Sequence, residues 1–359
     1  MPIDLSVRNI IRDKGYIRID EMMRQVLSDG NSAYYKTLSE IGFNGDFTTS
    51  PEISQLFGEM IALWAIDKWR KLGKPQKFSL VELGPGQGVL MSDLLRGSKV
   101  DPEFFKAVQV FLYDINPNFI QKQQNALKGY SNINWINDLE SLPQAPTLII
   151  SNEFFDALPT KQYMKVKDKW RESVMIVDPQ DSCIKHNAVD IHQNLQEQLL
   201  LDHVNASDGS VFEESVESLR IMRVLSKHIK DNRGSILTID YGYNIPAENR
   251  TSRQYNATLQ AIKDHKYVSI IDTLGEADLT THVNFNALIL ASKEQGEFDY
   301  IYQNQQDFLL SYGIKFRAKQ LQKTLNTDDA MIIDRQLDRL ISPQMMGDLF
   351  KVLEINYFV

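Results

Sequence analysis

Val81-Glu-Leu-Gly-Pro-Gly-Gln-Gly88 follows the run Lys77-Phe-Ser-Leu80 and opens onto Val89-Leu-Met-Ser-Asp-Leu-Leu95. The pattern predicts an apolar strand, a tight glycine turn and a helix leaving it. Glycines at 84, 86 and 88 let the backbone take positive φ, or approach a ligand with no Cβ in the way. Open α/β sheets build a nucleotide crevice in this manner at the carboxyl end of the first strand.

The dinucleotide fingerprint G-x-G-x-x-G is not met, because Val89 stands at its third glycine. The spacing is G-x-G-x-G behind an acidic residue, Glu82. This form resembles motif I of the class I methyltransferases, which bind S-adenosyl-L-methionine (SAM). A carboxylate beside the turn suits a cationic ligand and would repel a pyrophosphate. The alternative is an ordinary strand-to-helix turn whose glycines serve packing.

Further strand ends carry polar groups. Ala107-Val-Gln-Val-Phe-Leu-Tyr113 reads as a buried strand ending in Asp114, an acceptor placed to bind ribose hydroxyls. Its separation from Gly84, ~30 residues, exceeds the ~20 usual for dinucleotide sites. Ile133-Asn-Trp-Ile136 ends in Asn137 and Asp138, and Thr147-Leu-Ile-Ile150 runs into Ser151-Asn-Glu-Phe-Phe-Asp-Ala-Leu-Pro159. Gly234-Ser-Ile-Leu-Thr-Ile-Asp240 reads as another strand, turned by Tyr241-Gly242, and residues 350–355 as a terminal one. Alternating strands and helices predict an α/β fold with a doubly wound, mostly parallel sheet.

Four segments are expected. Residues 1–74 form a helical N-terminal extension, with Asp20 capping one helix and Ser50 the next, the latter carrying Pro51 in its first turn. Residues 75–155 form the ligand-binding half of the core. Residues 156–215, beginning with a hairpin over 161–177, form an insertion after the fourth strand on the substrate side. Residues 216–359 complete the core. Polar residues dominate 250–317, whose densest feature is Asp272–Phe285.

Composition narrows the function. The chain has 359 residues, 43% of them hydrophobic and 24% charged, and a net charge of −8. Such an acidic balance argues against a nucleic-acid partner and suits a cationic substrate. The lone Cys183 and six scattered histidines offer no metal-ligand spacing, so no metal is expected. No apolar run approaches the ~20 residues that span a bilayer. Met1-Pro-Ile-Asp-Leu-Ser6 lacks a signal-peptide core and an arginine-rich transit segment, so a bacterial cytoplasm is expected, or the mitochondrial matrix for a processed eukaryotic chain.

Gly45-Asp-Phe-Thr-Thr-Ser-Pro-Glu-Ile-Ser-Gln-Leu-Phe-Gly58, the glycine turn, Asn152-Glu-Phe-Phe-Asp-Ala-Leu-Pro159, Ile239-Asp-Tyr-Gly242 and Met346-Gly-Asp-Leu-Phe-Lys351 occur in one order. Together they resemble the MidA family over essentially the whole chain. That family includes the mitochondrial complex I assembly methyltransferase. The resemblance implies a class I, Rossmann-like methyltransferase fold, SAM as cofactor and, for the mitochondrial member, symmetric dimethylation of an arginine in a complex I subunit. It implies that Glu82, Gly84, Gly86 and Gly88 form the SAM turn, that Asp114 holds the ribose, and that Asn137 and Asp138 lie near the adenine. Asn152 joins the cofactor site, and Thr48 to Glu52, Ser50 included, closes over it. The departures are Gln87 for arginine, Asp114 for glutamate, Asn284 for aspartate and Ala33 for glycine.

The expected acceptor is a protein bearing an accessible arginine, whose guanidinium a carboxylate would grip in bidentate fashion. Glu153 is the first candidate and Asp156 the second, with His282 as a candidate base. Each has a structural alternative: a loop carboxylate bonded to backbone amides, or a satisfied histidine. Asp240 is open between the two roles, as are Tyr34 and Tyr35 between pocket wall and core. Two rival functions remain, a non-enzymatic assembly factor with a retained SAM fold and a small-molecule methyltransferase. The oligomeric state is not readable from the residues.

Overall fold

The computed structural model describes residues 3–29, 33–37 and 49–359. The chain folds into two compact units. One gathers Met1–Thr37, Asp156–Arg220 and Tyr243–Ile289; the other gathers Leu38–Phe155, Ile221–Gly242 and Leu290–Val359. We call these the outer unit and the core unit. The four sequence segments are thereby shared out between them.

The core unit is built on one sheet. Its strands are β1 (Phe78–Leu83), β2 (Val108–Tyr113), β3 (Ile133–Ile136), β4 (Thr147–Asn152), β5 (Gly234–Tyr243), β6 (Asp299–Asn304) and β7 (Phe350–Tyr357). Their order is β6-β7-β5-β4-β1-β2-β3. The pairs β2–β3, β1–β2, β1–β4 and β4–β5 are parallel, and β7 is antiparallel to both β5 and β6. Each of β1 and β4 is buried along its whole length, as a sheet covered on both faces requires. The chain leaves β1 toward β2 and β3, then returns to place β4 on the other side of β1. The β1/β4 boundary is therefore the topological switch point, beyond whose carboxyl ends such sheets bind ligands.

Two helices of this unit set the site. Helix α1 (Gln55–Lys71) buries Leu56, Phe57, Met60, Ile61 and Trp64 in a core shared with Leu80, Val110, Leu148 and Leu237. Helix α2 (Val89–Ser98) leaves the glycine turn and packs closely on α1. A Cβ at Gly58 would lie 2.6 Å from the Asp93 Cβ, and one at Gly97 would lie 3.2 Å from the Ala62 Cβ, so glycine permits the approach. Across this contact Glu59 pairs with Arg96 at 2.7 Å, and it also pairs at 2.7 Å with Arg317 of the helix Ile314–Gln322.

Several expectations change. The helix expected to start at Asp20 spans Ile19–Leu27 behind a two-residue strand, with Arg18 at its N-cap; the Asp20 carboxylate accepts from Arg18 Nε at 3.0 Å instead. Ser50 caps no long helix. It is the first residue of a four-residue helix, Ser50–Ile53, and Ser54 caps α1 by accepting from the Leu56 amide. The strand expected to turn at Tyr241 runs on to Tyr243. The polar stretch 250–317 contains β6, whose alternating Asp-Tyr-Ile-Tyr-Gln-Asn looks solvated in sequence.

In the outer unit, the expected hairpin is present as Lys161–Val166 and Lys169–Val177, with Val166 opposite Lys169. It pairs further with Ile17–Arg18, Ile184–Asp190 and Val211–Glu214. Ala33 is buried. Asn284 accepts from the Ala287 amide at 3.2 Å and so caps the helix Phe285–Lys293, a task asparagine and aspartate perform alike. Among the described residues no helix is long and apolar enough to cross a membrane.

Candidate active site

The switch point gathers the glycine turn, Asn152 and Glu153, with Asp114 at the end of the next strand. The turn after β1 takes positive φ at all three glycines, 61° at Gly84, 51° at Gly86 and 84° at Gly88. A Cβ at Gly84 would meet the Phe154 ring at 3.0 Å, and one at Gly88 would meet Gln123 Cα at 3.1 Å. The turn is thus held from both sides, by the segment after β4 and by helix α3 (Pro117–Ala126).

Asp114, at the end of β2, is fixed by two donors. Its Oδ1 accepts from the Asn116 amide at 2.8 Å and its Oδ2 from Gln123 Nε2 at 2.7 Å. The same Nε2 donates to the Gly86 carbonyl at 2.8 Å, and Trp135 Nε1 donates to Gln123 Oε1 at 2.8 Å. Gln123, fully buried, therefore ties the glycine turn to β2 and β3. Sequence reasoning missed it, because it sits in the uniformly polar run Gln121-Lys-Gln-Gln-Asn125 with nothing to distinguish it.

Glu82 lies inside β1 and is 3% exposed. Burial first, then the charge of Asp114, pushes its carboxyl up to about 8. Burial raises Asp114 to about 6, against the opposing bonds from Asn116 and Gln123. Glu82 Oε2 and Asn152 Oδ1 are buried acceptors with no hydrogen-bond partner among the described residues. Leaving such an atom unmet costs about 1–3 kcal/mol. Two orphaned acceptors and a raised carboxylate pair fit a ligand that brings donors and positive charge, as SAM does. They do not fit a pyrophosphate.

The segment after β4 is strained. Glu153 has φ 49°, in the left-handed region that non-glycine residues seldom adopt. Strain of this kind collects at functional sites when the surroundings enforce it. Here the Glu153 amide donates to the Ile239 carbonyl at 3.0 Å, and the Asp240 carboxylate accepts from the Phe155 amide at 3.1 Å. Asp240 therefore serves as a structural staple. The Glu153 side chain accepts at Oε1 from Asn152 Nδ2 at 3.1 Å and from the Ser50 amide at 3.3 Å. Ser50 is buried, and its hydroxyl donates to Gln305 Oε1 at 3.3 Å.

The Ser50–Ile53 helix also reaches the turn. Glu52 accepts from Gln87 Nε2 at 3.2 Å, and Lys122 donates to Gln87 Oε1 at 2.7 Å. Gln87 thus relays a cation, Lys122, where an arginine would pair directly. Thr48 lies outside the described residues.

The remaining predicted residues lie on other elements. Asn137 and Asp138 follow β3 and are exposed; Asp138 caps the short helix Leu139–Ser141 by accepting from the Glu140 amide at 2.9 Å. Asp156 and His282 belong to the outer unit. Asp156 is 3% exposed, and its carbonyl accepts from the Thr281 amide at 2.9 Å. The nearby Tyr35 donates to Asp278 at 2.5 Å, and burial with the charges of Asp278 and Asp156 raises its hydroxyl well above the ordinary value. The His282 amide donates to the Thr258 hydroxyl at 2.8 Å, and burial lowers its imidazole against the pull of Glu213. Tyr34 packs edge-on against Tyr35, 5.4 Å between centroids.

Residues 60–302 match the family described as "Putative S-adenosyl-L-methionine-dependent methyltransferase". The chain is 31% identical over 387 residues to the mitochondrial protein arginine methyltransferase NDUFAF7 of Homo sapiens, covering 97% of this chain and 82% of that one. It is 30% identical over 370 residues to the Danio rerio protein of the same name, covering 95% and 83%. A solved structure from Burkholderia thailandensis, a candidate methyl transferase bound to S-adenosyl-homocysteine, shares the fold with a TM-score of 0.86. It is 22% identical and covers 99% of this chain and 92% of its own.

Proposed function

The chain belongs to the MidA family of SAM-dependent methyltransferases, and on that premise we propose that it methylates an arginine of a protein substrate, with Glu153 as the residue that grips the guanidinium. The observation that carries this reading is the Glu153 carboxylate itself. It stands at the switch point in a strained backbone, with one oxygen already engaged by Asn152 and the Ser50 amide. A carboxylate held in one orientation can accept a guanidinium N–H and aim one nitrogen. The relatives' names support arginine as the acceptor, and the resemblance points to a subunit of respiratory complex I.

SAM, when bound, supplies an electrophilic methyl group on a sulfonium that departs as a thioether. The chain's own task is to position and exclude. The glycine turn and Asp114 take the donor, with Glu82 and Asn152 supplying the unmet acceptors. Phe154, half-buried over Gly84 and edge-on to Tyr113 and Phe155, walls that edge against water. Asn152 links the two halves, since its Nδ2 orients Glu153 while its Oδ1 remains an acceptor.

The test is methylation of recombinant complex I subunits with tritium-labelled SAM, followed by hydrolysis and mass spectrometry for methylarginine. The wild type should form methylarginine. Glu153→Gln should slow it roughly a hundredfold, about 2.7 kcal/mol of barrier, while binding S-adenosylhomocysteine as before. Undiminished methylation by the variant would remove Glu153 from its role. Labelling of a metabolite, or no transfer at all, would favour the small-molecule or non-enzymatic reading.

A further inference from the structure

The outer unit holds a cavity of about 470 Å³, lined among others by Glu213, Tyr243, Arg250, Thr258, Gln260 and His282. That volume lies within the ~300–1,000 Å³ typical of small-ligand sites. Arg250 is its unusual member. It is 4% exposed, and its guanidinium carbon lies 4.7 Å from the Tyr243 ring centroid, 5.6 Å from that of Tyr255 and 5.8 Å from that of Phe212. The rings hold the guanidinium by cation–π attraction. Its Nε donates to the Ile245 carbonyl at 3.4 Å, and it shares a hydrogen bond with the Tyr243 hydroxyl.

A buried charge is normally paired. Arg250 enters none of the ion pairs among the described residues. The carboxylate on the same wall, Glu213, is engaged elsewhere. It accepts from Gln162 Nε2 at 2.7 Å, from the Thr258 and Leu259 amides at 3.0 and 3.2 Å, and from the Thr258 hydroxyl. The Thr258 hydroxyl in turn accepts from the His282 amide, which fixes its direction. The positive field of Arg250 is felt nearby, for it adds to burial in pushing His203 down to about 4.

We propose that this cavity is a carboxylate-binding site in which the Arg250 guanidinium, oriented by Phe212, Tyr243 and Tyr255, pairs with a carboxylate of the ligand. The planar fork of arginine matches a carboxylate in two-point contact, and a site sheltered from water strengthens the pair. The carboxylate can come from a free small acid or from an acidic side chain of a peptide. The cavity belongs to the outer unit, and the proposal does not rest on the methyl acceptor proposed above.

Calorimetric titration and thermal unfolding of the full chain with glutarate and with the capped tripeptide acetyl-Gly-Glu-Gly-amide test this, beside the neutral isosteres glutaramide and acetyl-Gly-Gln-Gly-amide. One of the two acids should bind and raise the unfolding temperature, and which of them binds more tightly identifies the source. The isosteres should not bind. Arg250→Met should weaken binding tenfold or more, roughly 1.4 kcal/mol or above, and Arg250→Lys should retain part of it. Affinity for S-adenosylhomocysteine should be unchanged in both. Equal binding of the isosteres, equal binding by Arg250→Met, no binding of either acid by folded wild type, or a parallel loss of S-adenosylhomocysteine affinity would each overturn the proposal. Should Arg250→Met fail to fold, the acid-against-amide pair on the wild type decides.

Discussion

Glu82 is a carboxylate on a wholly buried strand, with one oxygen that no described residue meets. Its folded value, about 8, stands above its ordinary 4.5, and Asp114 stands at about 6 against 3.8. The folded protein therefore holds more protons than the unfolded chain between those limits, and stability must fall as pH rises through them. The Glu82 contribution is complete below about pH 4.5 and lost by about pH 8, on the order of a few kcal/mol. Urea unfolding of the ligand-free protein at pH 5, 6, 7 and 8 should show this decline, and Glu82→Gln should flatten it. An identical slope in both proteins would contradict the account. The places of Glu82, the glycines, Asp114 and Glu153 in or just after their strands were legible in the sequence, because apolar runs and a glycine turn mark them. Gln123 and the left-handed Glu153 backbone were not, because both depend on partners brought from afar: Gly86, Trp135 and the carbonyl of Ile239.

Among the elements, α1 and β7 are joined by a pair that sequence patterning does not announce. Lys68 Nζ lies 2.5 Å from Glu354 Oε2, both residues 3% exposed, and Trp64 Nε1 donates to the same oxygen at 3.1 Å. Removing one member leaves the other buried and uncompensated, which costs about 3–5 kcal/mol. Lys68→Met should therefore lower the denaturation midpoint strongly, and Lys68→Met with Glu354→Leu should recover most of the loss. Equal destabilisation by the single and double variants would refute the pairing. Strands were readable where they are apolar runs, as in β1, β2 and β4. β6 was hidden because its Asp299 and Ile301 face solvent, so no apolar run marks it. Ser50-Pro-Glu52 carries the signature of a helix start, yet that helix ends after one turn where Ser54 becomes extended and caps α1.

At the scale of the whole molecule, the sheet order places two stretches distant in sequence, 82–88 and 152–154, at one switch point, and the proposed function rests on that coincidence of topology. Neither stretch makes a site alone. The glycine turn lacks a wall until Phe154 covers it, and Glu153 lacks its conformation until β5 accepts its amide. The most direct test is calorimetric titration of the full chain with S-adenosylhomocysteine, beside Gly86→Val and with NAD as control. Gly86 has φ 51°, which a β-branched residue resists. The account predicts micromolar binding by the wild type, its loss in a Gly86→Val protein that still unfolds cooperatively, and no response to NAD. Absence of binding by folded wild type, or unchanged affinity in Gly86→Val, would contradict it.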